Sequence, residues 1–258
     1  MRKINFILTV GALFLSSCSN SFLDLTDETT ITSETFYKTP THFEQAIVAS
    51  YTATRNIALD GIFMDEMRSD NTFYTRYSGD RGPYNSTEKI ALFFDDETVS
   101  WAPDRYNNVY ACIARLNTIL GRLDASELTE EEKQTVRAES LFLRAYYYFD
   151  LVTHWGGVPL MLEEVLTEAD AFKAKSTVEE VYSQILADVS EAISIGLPVA
   201  STFPQSGRAT MGAAKMLRAY VYMSQPSRDY KAAEQDLLDI TKMNYALLDD
   251  YASVSIVR

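Results

Sequence analysis

The chain has 258 residues, of which 47% are hydrophobic and 12% aromatic, and its formal net charge is −13. This composition is typical of a globular protein with a substantial core, and the length allows one or two domains. Because so acidic a chain repels nucleic acid and anionic lipid surfaces, we expect neither of them as a partner.

The N-terminus has the features of an export signal. Two basic residues precede the apolar run Phe6–Leu15, and the tetrapeptide Leu15-Ser-Ser-Cys18 is similar to a bacterial lipobox. We therefore predict a lipoprotein signal peptide over residues 1–17, cleavage before Cys18 and a lipid on that cysteine. Residues 18–40 would then form a lipidated N-terminal arm. The apolar run is shorter than the roughly 20 residues that a membrane-spanning helix needs.

Three capping boxes predict helix starts in the body of the protein. They are Thr41-x-x-Glu44, Thr129-x-x-Glu132 and Ser176-x-x-Glu179. Residues 141–152 are apolar nearly all round, interrupted only by Arg144 and Asp150, which predicts a helix buried on most sides in the middle of the fold. That helix is expected to stop at Trp155-Gly-Gly, where the indole would have a structural role.

Residues 59–103 break the helical pattern. Glycines and prolines interrupt them, no period is sustained, and the stretch is far longer than an ordinary connection. We expect a long irregular insertion in this region. Phe73, Phe93 and Phe94 are expected to belong to the core.

The stretch from Arg208 to Thr241 predicts two helices joined by a turn. Its length matches the 34 residues expected for a tetratricopeptide repeat, although the repeat pattern is degenerate. Segments with the two-residue period of a strand are scarce throughout the chain. The predicted fold is therefore all-α, with tetratricopeptide-like helix pairs and a long irregular insertion.

Four blocks of the chain together resemble the SusD/RagB family of outer-membrane lipoproteins. They are Cys18-Ser-Asn-Ser-Phe-Leu-Asp24 with Thr35-Phe-Tyr-Lys38, the run Arg137–Leu151 followed by Trp155-Gly-Gly-Val-Pro-Leu160, Gly207-Arg-Ala-Thr-Met-Gly-Ala-Ala-Lys215, and Asn244-Tyr-Ala-Leu-Leu248. The resemblance assigns residues 41–250 to a SusD-like N-terminal helical domain. Because family members usually run to about twice this length, we expect a truncated member or a fragment of a longer gene product, with residues 251–258 as a truncated tail.

The resemblance implies a role in nutrient capture at the cell surface. Members of the family sit as a lid over a SusC-like TonB-dependent transporter and capture glycans, or sometimes peptides, for import. We accordingly expect a protein that binds an oligosaccharide or a peptide and needs no cofactor. It would be held to outer-membrane lipid by acylated Cys18 and would face the cell exterior.

Residues 63–101 are the expected location of a ligand site. Sugar capture uses aromatic rings for C–H faces and fixed polar groups for hydroxyls, and this stretch concentrates both outside a helical stripe. The candidate ligand-binding residues are Asp70, Asn71, Tyr74, Arg76, Tyr77, Tyr84 and Trp101. The alternative is that the loop packs on the body or on the transporter, and Trp101 also suits the start of the next helix.

Catalysis and metal binding have little support in the sequence. A glycosidase needs two carboxylates that face each other, whereas the acidic pairs here are adjacent and diverge on a helix or strand. His42 and His154 lack metal-ligand spacing, and the acidic run at residues 95–97 lacks the spacing of an EF-hand. We expect no catalytic residue and no metal ion. The rival hypotheses are a tetratricopeptide-like adaptor of the envelope without sugar binding, and a surface glycosidase.

Overall fold

Helices follow one another along the chain. The computed structural model describes residues 36–74, 78–79, 85–96, 99–199, 207–243 and 245–246. The helices are α1 (Pro40–Ser50), α2 (Thr52–Met64), α3 (Asn85–Ala91), α4 (Trp101–Arg122), α5 (Glu130–Trp155), α6 (Val178–Ile195), α7 (Met211–Ser224) and α8 (Tyr230–Thr241). Single 3-10 turns occupy Glu66–Arg68 and Glu168–Ala171. These ranges contain no strand, and the all-α prediction is confirmed.

Consecutive helices pack against each other. Helix α5 lies on α6, α6 on α7 and α7 on α8, which is the stacking expected of tetratricopeptide-like pairs. Helix α4 packs on α1, α2 and α5, so α5 has neighbours on both sides. None of the helices in the described ranges is both long and apolar enough to cross a membrane.

Helix α5 is the central helix of the fold. The capping box predicted at its start is present, because the Thr129 hydroxyl accepts from the N–H of Glu132 and the Glu132 carboxylate accepts from the N–H of Thr129. Leu143, Tyr147 and Leu151 have no exposed surface at all. The prediction of a helix buried on most sides is therefore confirmed.

The two polar residues that interrupt the apolar run of α5 are both buried in ion pairs. Arg144 Nε donates to Asp188 of α6 over 2.7 Å, and Arg105 Nε of α4 donates to Asp150 over 3.2 Å. A buried charge without its partner is strongly destabilising, so each pair requires its two helices to keep their positions. The pairs link α5 to the helices on either side.

The predicted starts of α1 and α6 are wrong by two residues and one residue. Helix α1 is capped by Thr39 instead of Thr41, because Pro40 suits the first helical position, where no N–H is needed. Helix α6 is capped by Thr177 instead of Ser176. Thr177 forms a reciprocal capping box with Glu180, and the Ser176 N–H donates to the Val158 carbonyl ahead of the helix.

The described part of residues 59–103 is more regular than predicted. Helix α2 continues to Met64, and α3 lies within the stretch. Helix α4 begins at Trp101 and holds Pro103 in its first turn, where the missing N–H has no intrahelical partner to lose. In its described part, the insertion therefore combines short helices with turns.

Phe73, Phe93 and Phe94 lie on the surface, and the prediction that they belong to the core is wrong. They are 86%, 64% and 73% exposed. The guanidinium of Arg68 covers the Phe93 ring at 4.8 Å from its centroid and pairs with Asp95 at 3.3 Å. In turns between short helices no hydrophobic period assigns a face, so apolarity alone did not reveal their exposure.

Candidate functional site

Two adjoining hollows form a groove beside α4. The first has a volume of 610 Å³ and the second of 540 Å³, both within the range of small-molecule sites. Tyr106 and Pro159 line both hollows and mark where they meet. The first hollow is also lined by Tyr110, Phe172 and Lys173, and the second is also lined by Asn107, Trp155 and Lys175. We call the two hollows together the groove.

Three aromatic rings form one wall of the groove. Tyr106 and Tyr110 are four residues apart on α4 and so lie on the same face, with ring centroids 4.7 Å apart. Trp155, the last residue of α5, meets Tyr106 edge to face at 5.3 Å. Burial, and next the hydrogen bond with Tyr106, raise the pKa of Tyr110 far above its ordinary value. The Tyr110 hydroxyl therefore stays protonated and donates to the Pro159 carbonyl over 2.7 Å.

The chain after α5 forms the floor of the groove and is held by side chains. The Tyr148 hydroxyl donates to the Met161 carbonyl over 2.8 Å and accepts from the Met161 N–H over 2.6 Å. The Asn117 amide donates to the same carbonyl over 2.7 Å, and its oxygen accepts from Arg144 over 2.9 Å. Because these hydrogen bonds come from α4 and α5, they fix the floor to the central helices.

The opposite rim is the exposed segment that leads into α6. It is fastened where the Ser176 N–H donates to the Val158 carbonyl over 3.1 Å. At Gly157 the two segments are so close that an added Cβ would lie 2.1 Å from the Ser176 carbonyl oxygen. Phe172 and the lysines on either side of Ala174 stand out from this rim, and Phe172 is 78% exposed.

An ion cluster joins α2, α4 and α5 next to Trp155. Arg105, 2% exposed, binds Asp150 and lies 3.6 Å from Asp65, the residue that follows α2. His154 Nε2 is 2.6 Å from an Asp65 oxygen. Desolvation lowers the pKa of His154, but the hydrogen bonds to Asp65 and the Asp150 carbonyl outweigh it, so this pKa lies above its ordinary value. The cluster ties the end of α2 to α5.

The described part of the predicted ligand segment contains four of the candidate residues. Asp70 and Asn71 are exposed after the first 3-10 turn, and Tyr74 is half-buried. Trp101 is half-buried as the first residue of α4, where it stacks on Phe63 with centroids 4.6 Å apart. Within the described contacts, no hydrogen bond or ring contact joins Trp101 to Asp70 or Asn71. Ligand binding by these residues stays a prediction.

The other predicted sites lie outside the described residues. They are Arg76, Tyr77, Tyr84 and the lipidation site Cys18. In the part of the chain that the structure describes, no group of three or more His, Cys, Asp or Glu residues is placed to hold a metal ion.

Sequence reasoning did not identify the groove. Tyr106 and Tyr110 are not among the candidate ligand residues, and Trp155 is expected only to have a structural role at a helix stop. Trp155 does pack at the end of α5, but it also lines the second hollow. The available signal was the spacing of two tyrosines on one helix face ahead of a tryptophan at the next helix end. No comparable sequence pattern indicated that the exposed rim would lie beside these aromatic residues.

Comparison with known proteins gives consistent matches. The family model SusD-like_3, described as starch-binding and associating with the outer membrane, matches residues 21–223. SusD-like protein P25 of Formosa agariphila is 26% identical over 98% of this chain and 49% of its own length. A SusD-like protein of Bacteroides ovatus is 24% identical over 87% of this chain and 40% of its own. The chain thus spans about half the length of these relatives.

Solved structures agree with the sequence matches. A laminarin-binding SusD-like protein superposes with a TM-score of 0.73 at 25% identity, over 84% of this chain and 48% of that one. A SusD-like protein from Bacteroides fragilis superposes with a TM-score of 0.68 at 30% identity, over 86% of this chain and 41% of that one. Both matches extend over most of the helical body described above.

Proposed function

The chain belongs to the SusD-like family, whose model matches residues 21–223, and from this premise we propose that it binds glycans at an outer membrane. The match to a family described as starch-binding and outer-membrane associating carries this proposal. The laminarin-binding relative supports an oligosaccharide as the ligand. We place the ligand in the groove, where aromatic side chains and a solvent-accessible amide occur together.

The groove has the features that sugar binding requires. The rings of Tyr106, Tyr110 and Trp155 offer apolar faces for the C–H groups of a sugar, and an aromatic contact contributes about 0.5–1.5 kcal/mol beyond its buried area. The exposed Asn107 amide, which makes no hydrogen bond to other described residues, is available for hydroxyls. Asn117 has both amide groups engaged in the floor and serves to hold the site.

We propose binding without catalysis. Glycosidases place two carboxylates across the scissile bond, at separations of roughly 5–9.5 Å. Among the described residues that line the groove, Asp96 is the only carboxylate, and Lys89 pairs with it at 2.9 Å. A single, paired carboxylate does not supply an acid and a base.

The same family supports proposals for the membrane attachment and for the partner. We propose that Cys18 carries the lipid, that the body faces the cell exterior, and that a SusC-like TonB-dependent transporter receives the ligand. The lipobox at Leu15-Ser-Ser-Cys18 supports the lipid anchor. Affinity purification of the tagged protein from outer membranes should recover a TonB-dependent transporter, and its consistent absence would contradict the partnership.

The site is tested by a glycan array followed by titration of the best ligand. Tyr106→Ala and Trp155→Ala should each weaken binding by about five- to ten-fold, whereas Tyr220→Ala, which removes a 52% exposed tyrosine from α7, should leave it unchanged. Thermal unfolding of each variant checks that the fold is kept. If Asp70→Ala with Asn71→Ala weakens binding and the groove variants do not, the ligand lies on the segment predicted from the sequence. Absence of binding to any glycan would favour the adaptor hypothesis.

A further inference from the structure

The rim of the groove places one lysine in each hollow, and we propose that the ligand is an acidic oligosaccharide whose carboxylate or sulfate groups are bound by Lys173 and Lys175. The proposal rests on the proposed function, because it specifies the class of glycan that the groove takes. The cationic rim is unexpected in a chain with a net charge of −13.

Both lysines are free to bind a ligand. Lys173 lines the first hollow with Tyr110 and Phe172, and Lys175 lines the second with Trp155. Both are exposed, and neither forms an ion pair or side-chain hydrogen bond with another described residue. An ammonium group in this state keeps three donors for a ligand, beside rings that can hold the sugar.

Two carboxylates near these lysines, Asp96 and Asp170, each have another hydrogen-bonding partner. Asp96, which lines the second hollow, pairs with Lys89. Asp170, three residues before Lys173, accepts from the N–H and the hydroxyl of Thr167 over 2.9 and 2.8 Å and so caps the 3-10 turn. These hydrogen bonds, ahead of the smaller effect of Lys173, lower the pKa of Asp170. Among the described residues, neither rim lysine therefore forms an ion pair with a carboxylate, and Lys173 interacts with the Asp170 charge only at longer range.

The spacing of the two lysines favours a ligand with repeated charges. Two residues apart in a non-helical segment, their Cα atoms are separated by at most about 7 Å. The Lys175 stem runs close to Gly157, since an added Cβ there would lie 3.3 Å from Lys175 Cε, and both residues line the second hollow. Because each lysine lines its own hollow, an oligosaccharide that lies along the groove with charges on several rings would reach both.

The attraction of an anionic ligand to the two lysines has to exceed its repulsion by the net negative charge of the chain. At physiological ionic strength the Debye length is about 8 Å, so distant carboxylates are largely screened from a ligand in direct contact with the rim. An exposed ion pair contributes about 0.2–1 kcal/mol, which corresponds to at most about a five-fold gain in affinity for each lysine. If their contributions add, the two lysines together should favour a charged ligand by roughly two- to thirty-fold over its neutral counterpart.

The test compares ligands that differ only in charge. Oligogalacturonates and their methyl esters, and sulfated and unsulfated forms of one galactan oligosaccharide, are titrated into the whole chain by calorimetry at low and high salt. The protein variants are Lys173→Gln with Lys175→Gln, which keep much of each stem, and Lys231→Gln as a control at an exposed lysine of α8 outside the groove.

The expected result is tighter binding of an acidic ligand than of its neutral counterpart, by at least about two-fold. This preference should fall with salt, disappear in the double variant and persist in Lys231→Gln. Equal or tighter binding of the neutral member would overturn the acidic-ligand proposal and leave the proposed function intact. A preference that survives in the double variant would overturn the role of the two lysines. If the protein binds neither a member of the two ligand pairs nor any glycan on the array, both proposals are overturned.

Discussion

A methyl group added at Gly157 is the smallest change that tests how the rim of the groove is held. In Gly157→Ala the new Cβ would lie 2.1 Å from the Ser176 carbonyl oxygen and 3.3 Å from the carbonyl carbon. Both atoms belong to the backbone, so no side-chain rotation relieves the contact. Either the segment carrying Lys175 moves away from the end of α5, or the clash is absorbed as strain.

The size of the effect follows from overpacking in a tightly packed region. Forcing an extra carbon into such a contact typically costs about 1–3 kcal/mol. For a protein of this size, each kcal/mol lowers the midpoint temperature by about 2–4 °C. We therefore expect Gly157→Ala to unfold at a lower urea concentration and a lower temperature than the wild type. Displacement of the rim should also reduce ligand binding at the groove.

Gly121→Ala is the matched control. Gly121 lies inside α4, and an added Cβ would meet only Glu164, at the ordinary contact distance of 3.9 Å. Because alanine is favoured over glycine in a helix by about 0.5–1 kcal/mol, this substitution should stabilise the protein. The same chemical change thus has opposite expected signs at the two positions. Equal stability of Gly157→Ala and wild type in urea unfolding would refute the reasoning.

Three further predictions concern the ion pairs and a helix cap. Because the pKa of His154 is raised, its pair with Asp65 contributes its full stability below pH 6.5, and this contribution is lost as the pH rises through the raised pKa. The urea midpoint of the wild type should therefore decline over this pH range relative to that of His154→Gln, and parallel curves for the two proteins would count against the prediction. Arg144→Met alone should cost about 3–5 kcal/mol by leaving Asp188 buried and unpaired, and adding Asp188→Leu should restore much of the loss; additive losses in the double variant would contradict this. Thr129→Ala should cost about 1 kcal/mol through loss of the α5 cap, with an unchanged urea midpoint as the contrary result.

The sequence predicted the central helix well because local and tertiary signals agree there. The capping box at Thr129 sets the start of α5, and the apolar run 141–152 sets its burial. Arg144 and Asp150 interrupted that pattern, and only the structure shows that each is neutralised by a partner more than 40 positions away in the chain. A periodicity argument has no access to such partners.

The candidate site was less predictable because its parts are distant in sequence. Aromatic and polar residues between 63 and 101 were the local signal, and the prediction for Asp70 and Trp101 rests on that composition. The groove, in contrast, joins tyrosines of α4 to a rim about 65 residues later, and the Ser176–Val158 contact that brings them together leaves no trace in either local pattern. Which residues come together in the groove depends on long-range packing, which the residue types in a local segment do not reveal.

The groove divides its residues into those that hold it together and those that face outward. Tyr148 binds both the N–H and the carbonyl of Met161, as a neighbouring strand would, so the backbone of the floor is fixed by a side chain of α5. Phe172 and Lys173 are exposed on the rim and do not hold the backbone of the floor. Substitutions at such exposed positions usually change the free energy of unfolding by no more than about 0.5 kcal/mol. Substitutions on the rim can therefore alter the ligand preference that we propose for the groove, while the helical body keeps its stability.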